Sequence, residues 1–129
     1  MKYKFVKRRN PADKNAPPKF YAAPVYDGKV TKKQISDDLV LISSLSRGDI
    51  SSVIENLIDS IPKYLLMNQS VQLGELGTIR LAFSSKGVDD INDFHIGMIR
   101  GKKVIFTPGP LLKRIFDGAS YERVKEKEQ

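Results

Sequence analysis

The chain has 129 residues, of which 40% are hydrophobic, a net charge of +7 and no cysteine. This length predicts one domain with at most an appendage. The missing cysteines exclude a disulfide framework, a zinc–thiolate site and a cysteine nucleophile.

Positive charge is concentrated near the start of the sequence. Residues 1–33 contain ten Lys/Arg against two Asp, a net charge of +8, whereas the remaining 96 residues carry −1. Such a basic segment attracts polyanions, although a solvated basic tail has the same composition. The basic start lacks the apolar stretch of a secretory signal, and the longest aliphatic run is "LVLI". The sequence therefore favours a soluble, cytoplasmic protein.

The basic N-terminal segment has the pattern of a two-stranded β extension. Residues 2–9 alternate, with Tyr3 and Phe5 on one face and basic side chains on the other. Residues 10–19 contain three prolines and predict a loop, and residues 20–28 resume a β-like composition. Because an isolated two-stranded ribbon is only marginally stable, we expect this extension to pack against another element of structure.

Two amphipathic helices are predicted next. Thr31 and Gln34 have the spacing of a capping box at the start of the first helix. Ser46 and Asp49 form a second plausible capping pair, before a helix with one apolar stripe over more than four turns. We expect Pro62 to bend this second helix rather than divide it.

The run "VQLGELGTIRL" carries two glycines, Gly74 and Gly77, just before a β pattern. Since glycine weakens a strand interior, the pair indicates a tight hairpin turn or a bulge, either of which needs a positive φ. The first part of residues 84–101 is polar, and the later part has a β-like composition. Residues 102–108 predict a further strand. Pro110 then opens a short helix, because proline is favoured at the first helical position.

From the first helix onward, this order of elements resembles the bacterial histone-like HU and integration host factor family. The motif "LGELGTIRL" (73–81) is similar to that family's Leu-Pro-Gly-Phe-Gly-Thr-Phe stretch. The motif "IFTPGPLLKRI" (105–115) is similar to its Phe-Lys-Pro-Gly-Lys-x-Leu-Lys stretch. The initial "KYKFVKRRNP" resembles an N-terminal stretch of HU-related variants from Bacteroidetes-type bacteria.

The resemblance implies an α+β fold that forms an HU-like intertwined homodimer. Each chain would supply a helical base, a β-strand saddle with an arm, and a short C-terminal helix. Residues 1–30 would then be a basic N-terminal β extension, residues 31–117 the HU-like DNA-binding domain, and residues 118–129 a charged C-terminal tail. The charged end of this tail, "YERVKEKEQ", is expected to fray. Independently, the long helix stripe favours a dimer because a short sheet cannot cover it. The expected turn motif comprises Gly74, Gly77, Thr78, Pro108 and Gly109.

The function implied is that of a non-enzymatic, sequence-tolerant architectural protein of the bacterial nucleoid. Such proteins bind double-stranded DNA in the minor groove and read its width and deformability. The run "SIPK" matches Ser-x-x-Lys of penicillin-recognising enzymes, but the partner motifs are absent and no catalysis is expected. Neither a cofactor, a metal ion, a membrane nor a small-molecule substrate is expected. The predicted DNA-binding residues are Arg80, Lys86, Arg100, Lys102, Lys103 and Lys113 near the saddle, and Lys2, Lys4, Lys7, Arg8 and Arg9 in the extension.

Departures from the family pattern leave a second interpretation open. The family's arm tip carries Arg-Asn-Pro, whereas residues 84–101 contain no proline and include Asp89, Asp90 and Asp93, which phosphates would repel. The alternative is an HU-fold dimeric scaffold that has lost DNA bending or affinity and acts through protein partners.

Apolar side chains in the same segment also allow two interpretations. Ile91, Phe94 or Met98 could act as a wedge between base pairs. Alternating Phe94, Ile96 and Met98 more simply indicate one face of a strand.

Overall fold

A computed structural model of the chain describes residues 1–125, which fall into two compact units. Unit 1 comprises Met1–Thr31 together with the segment that begins at Gly118, and unit 2 comprises Lys32–Asp117. None of the helices in the described part of the chain has the length and apolar character needed to span a membrane.

Unit 1 contains a three-stranded sheet. Strand β1 (Lys2–Arg8) pairs antiparallel with β2 (Lys19–Pro24) on one side and parallel with the final short strand (Glu122–Arg123) on the other. The predicted ribbon therefore gains a third strand from the other end of the sequence. The expectation that the tail frays is wrong for this strand, while residues 126–129 lie outside the described residues.

Unit 2 begins with two helices, α1 (Lys32–Ile42) and α2 (Arg47–Leu66). The predicted capping box of α2 is confirmed, because the Ser46 hydroxyl accepts the Asp49 N–H and an Asp49 carboxylate oxygen accepts the Ser46 N–H. Pro62 lies inside α2 without ending it, so the expectation of one helix rather than two is confirmed.

The remainder of unit 2 is an antiparallel sheet followed by a helix. Strands β3 (Val71–Gln72), β4 (Gly77–Ser85) and β5 (Ile99–Pro108) pair in that order, and α2 packs against β3 and β4. Helix α3 (Pro110–Asp117) starts at the predicted proline. With β6 (Glu122–Arg123) of unit 1, the described residues 1–125 contain three α-helices and two small sheets, an α+β architecture.

The segment between β4 and β5 is not a strand where its pattern predicts one. Two single turns of 3₁₀ helix, Ile91–Asp93 and Ile96–Met98, occupy it, so the strand interpretation of Phe94, Ile96 and Met98 is wrong. The Asp90 carboxylate caps the first turn by accepting the Asn92 N–H at 2.9 Å. Local side-chain hydrogen bonds of this kind compete with strand formation.

Very little apolar surface is buried within residues 1–125 of a single chain. Among the described residues, Ile50 and Leu65 are the only buried hydrophobic side chains. Val53 and Ile58 of the predicted α2 stripe are 53% and 58% exposed, and Phe106 of β5 is 48% exposed. A domain of this size normally buries such residues, so this surface is typical of a protein–protein contact.

Candidate nucleic-acid interface

The glycine pair forms a tight turn between β3 and β4. Gly74 (φ +55°) and Gly77 (φ +144°) both adopt conformations that L-residues rarely use. A 3₁₀ turn at Gly74–Leu76 connects the strands, and the Leu73 N–H donates to the Gly77 carbonyl oxygen at 2.8 Å. Of the two predicted alternatives, the structure therefore contains the hairpin turn.

The second motif packs directly on this turn. Gly77 lies opposite Pro108, and Thr78 lies opposite Thr107, at the base of the β4–β5 pair. Gly109, which is buried, donates its N–H to the Leu76 carbonyl oxygen. The five predicted motif residues thus come together and join the start of α3 to the sheet.

Strands β4 and β5 give the sheet one apolar face. Ile79 lies opposite Phe106, and Leu81 lies opposite Val104. Because directly opposite residues of an antiparallel pair project to the same side, these four side chains share a face.

Three of the predicted DNA-binding residues share the other face. Arg80 is opposite Ile105 and Lys103 is opposite Ala82, two positions further along the same side. Beyond them the register shifts by one residue, and Arg100 is opposite Ser84. Gly101 occupies this bulge with φ +71°, so the extra residue restores Arg100 to the face of Arg80 and Lys103. All three basic side chains are exposed.

The remaining saddle candidates lie elsewhere in unit 2. Lys102 lies in the bulge and lines a groove with Leu65 and Phe83 near the end of α2. Lys86 follows β4, where its backbone N–H donates to the Met98 carbonyl oxygen. Lys113 is exposed on α3. Of these three lysines, Lys102 lines the same groove as Arg80, whereas Lys86 and Lys113 lie outside the paired part of the strands.

Basic residues of unit 1 are divided between the two faces of its sheet. Lys2, Lys4 and Arg8 alternate along β1 on one face, whereas Lys7 lies on the other, and Arg9 follows the strand. A carboxylate oxygen of Asp27 lies 2.9 Å from the Lys2 Nζ atom. The hydrogen bond and the charge of this carboxylate raise the pKa of Lys2 above its ordinary value.

The connection between β4 and β5 carries negative charge. Asp89, Asp90 and Asp93 are all exposed there, and Ile91 between them is 88% exposed. Within residues 1–125, no group of three or more His, Cys, Asp or Glu side chains could hold a metal ion.

One contact between side chains of unit 1 had no signal in the sequence. Arg123 of β6 places its guanidinium over the Phe5 ring, with 4.8 Å between the Cζ atom and the ring centroid. A two-residue strand within a charged tail has no periodicity that would predict this pairing.

The sequence also matches the model of a known protein family. The chain belongs to the HU-HIG family, described as an HU domain fused to wHTH, Ig, or glycine-rich motif, whose model matches residues 1–123. The match confirms the resemblance drawn from the two glycine motifs, and it includes β1 and β2 of the N-terminal extension.

A solved structure has the same fold. It is that of a candidate bacterial DNA binding protein from Bacteroides vulgatus, with a TM-score of 0.61 and 18% sequence identity. The similarity covers all of this chain, which spans half the length of that structure. No protein of curated function matches the sequence.

Proposed function

We propose that this chain is a non-enzymatic, sequence-tolerant architectural protein that binds double-stranded DNA as a homodimer in the bacterial nucleoid. Membership of an HU-type family and a fold shared with a candidate DNA-binding protein support DNA binding in general. In this proposal residues 31–117 are the DNA-binding domain, and residues 1–30 add basic contacts. The tail after residue 117 contributes β6.

Exposed apolar surface supports the homodimer. Val53 and Ile58 on α2 and Phe106 on β5 remain open in the single chain. Burying side chains of this size contributes about 1.5–3 kcal/mol each. A second copy of unit 2 offers the same apolar surface, and self-complementary contacts of this kind are usual in two-fold dimers. The helices would then interlock as the base of an HU-like saddle.

The arrangement of the β4–β5 pair carries the proposal. Its apolar face holds Ile79 and Phe106, whereas its other face holds Arg80, Arg100 and Lys103. When two chains associate through the apolar side, the three basic residues of each chain remain free to contact phosphates. Such backbone contacts do not depend on base identity, which accounts for tolerance of sequence.

The test is to titrate random-sequence duplex DNA with the protein at several salt concentrations and to measure binding by fluorescence anisotropy. We expect binding that weakens steeply with salt, with a log–log slope of about −5 to −7 for 6 to 8 phosphate contacts. Light scattering on the same sample should give twice the chain mass. Absence of duplex binding at low salt, or a stably folded single chain at working concentration, would contradict the proposal.

The alternative function is an HU-fold dimeric scaffold that acts through protein partners. The observation in its favour is the exposed cluster of Asp89, Asp90 and Asp93 on the connection between β4 and β5. Phosphates would repel this cluster if it approached DNA. A dimer that binds no duplex at low salt would favour this alternative.

A further inference from the structure

One face of the unit 1 sheet carries a row of aromatic side chains. Tyr3, Phe5 and Lys7 alternate along β1 and therefore project to the same side. Phe20 of β2 lies directly opposite Lys7 and joins this face. We call these residues, with Arg123 of β6 opposite Tyr3, the aromatic face.

The side chains of the aromatic face contact one another in a regular way. The rings of Tyr3 and Phe5 meet edge to face, with centroids 5.8 Å apart and planes at 83°. The Arg123 guanidinium lies over Phe5, and the Lys7 Nζ atom lies 5.8 Å from the Phe20 ring centroid. Each phenylalanine is thus paired with a cation, an arrangement that holds positive charge beside a ring surface.

This face is open to a ligand. Phe20 is 69% exposed and Phe5 is 45% exposed, and Tyr121, which precedes β6, is 77% exposed. Beside them lies an apolar groove with a volume of about 530 Å³, lined by residues that include Tyr3, Phe5, Pro24 and Tyr121. Exposed aromatic rings in such numbers are uncommon on a surface without a binding role.

Charge restricts the choice of ligand. Unit 1 contains eleven Lys/Arg against five Asp/Glu, a net charge of +6, whereas unit 2 carries only +1. A purely apolar partner would have to desolvate Lys7 and Arg123, which is unfavourable without a counter-charge. A partner that combines flat rings with negative charge satisfies both the aromatic and the cationic groups.

We propose that the aromatic face binds unpaired bases of single-stranded DNA. Bases stack on exposed aromatic rings with little dependence on sequence, while nearby cations neutralise the phosphates. In a duplex the base faces are already stacked, so the aromatic face would distinguish unpaired from paired DNA. The choice of DNA over RNA rests on the proposed function of unit 2, which would hold DNA close to unit 1 through the shared chain.

The test measures binding of the full-length protein to a fluorescent oligothymidylate of 20 nucleotides. Phe20→Leu keeps an apolar side chain but removes the ring, and Phe20→Tyr keeps the ring. Tyr21→Leu is the matched control, because Tyr21 lies opposite Val6 on the other face of the same sheet. Since Phe20 is largely exposed, these changes leave the fold of unit 1 intact.

We expect Phe20→Leu to weaken oligothymidylate binding about tenfold, the effect of losing one stacked base. Phe20→Tyr and Tyr21→Leu should bind within about twofold of the wild type. Equal affinity of Phe20→Leu and the wild type would overturn the proposal. So would an equal loss in Tyr21→Leu, or tighter binding of oligouridylate than of oligothymidylate.

Two further measurements separate this proposal from others. Duplex affinity at the same salt should be unchanged in Phe20→Leu. A wild-type protein that binds oligothymidylate but no duplex would contradict only the proposed function. If the aromatic face instead contacts a second copy of the chain, Phe20→Leu will change the mass measured by light scattering without changing oligothymidylate affinity. That result would overturn the aromatic face as a DNA site.

Discussion

The N–H of Gly109 donates a hydrogen bond to the carbonyl oxygen of Leu76, with 3.2 Å between the nitrogen and the oxygen. This bond ties the residue before α3 to the turn that precedes β4. A Cβ atom on Gly109 would collide with the carbonyl oxygen of Glu75 in that turn. The close approach of two backbones explains why the second motif has a glycine at this position.

Gly109→Ala should therefore destabilise the protein by about 1–3 kcal/mol, because the turn must move to admit the methyl group. Urea unfolding followed by circular dichroism measures this loss. Gly87→Ala is the matched control, since a Cβ there would meet open space. Equal midpoints for the two variants would show that the turn accommodates the methyl group without cost.

Ser46→Ala should cost about 1 kcal/mol of stability, because it removes the acceptor for the Asp49 N–H at the start of α2. The measurement is again the urea midpoint. Ser44→Ala, at an exposed serine just outside the helix, serves as the control. A larger loss in the control than in Ser46→Ala would contradict the capping role.

Asp49 should make stability depend on pH. The hydrogen bond from the Ser46 backbone, with that from its side chain, lowers the pKa of Asp49 below its ordinary value of 3.8. A carboxyl group whose pKa is lower in the folded state stabilises the fold above the ordinary value, and this contribution is lost as pH falls through the folded pKa.

The stability difference between wild type and Asp49→Asn should thus be largest near neutral pH and narrow below pH 3.8. Unfolding midpoints measured between pH 7 and pH 3 test this expectation. Asp38→Asn, an exposed carboxylate on α1 outside the cap, corrects for the general effect of lost charge. A constant difference across the range would refute the prediction.

Ile58→Glu distinguishes a dimer from a single chain. Ile58 is 58% exposed in one chain, and a surface substitution there would change stability by about 0.5 kcal/mol at most. If a second chain covers it, we expect a loss of more than about 2 kcal/mol and dissociation in light scattering. Ile91→Glu, at an exposed isoleucine between β4 and β5, should leave the mass unchanged. An undiminished mass in Ile58→Glu would exclude this side of α2 from the interface.

Neutralising the strand face should weaken duplex binding in a salt-dependent way. Arg80→Gln or Lys103→Gln removes one phosphate contact per chain, so the magnitude of the log–log salt slope should fall by about two per dimer. Anisotropy titrations at several salt concentrations measure the slope. Lys63→Gln on α2 removes an equal charge away from the strand face and should leave the slope unaltered. The same slope in all variants would contradict contact through this face.

Features with a strong local cause were predictable from the sequence. The Ser46–Asp49 cap and the start of α3 at Pro110 follow from hydrogen-bonding capacity and a fixed φ. The turn at Gly74–Leu76 follows from the need for positive φ. Each of these features is caused by residues that are close together in the chain, so a local sequence pattern is enough to predict it.

Features that depend on distant partners were not predictable. β6 exists because Lys2 and Tyr3 pair with Glu122 and Arg123, which nothing in the tail signals. Arg100 lies on the same face as Arg80 because of the bulge. Simple alternation along β5 would place Arg100 on the opposite face of the sheet. Both cases require the register between strands, which composition does not encode.

The pairing of β1 with β6 has a consequence for the order of folding. All 86 residues of unit 2 lie in the chain between β2 and the segment that holds β6. On the ribosome, β1 and β2 emerge long before their third strand, and such non-local pairings form slowly. We therefore expect unit 2 to fold during translation, whereas the sheet of unit 1 is completed only after β6 has been synthesised and pairs with β1.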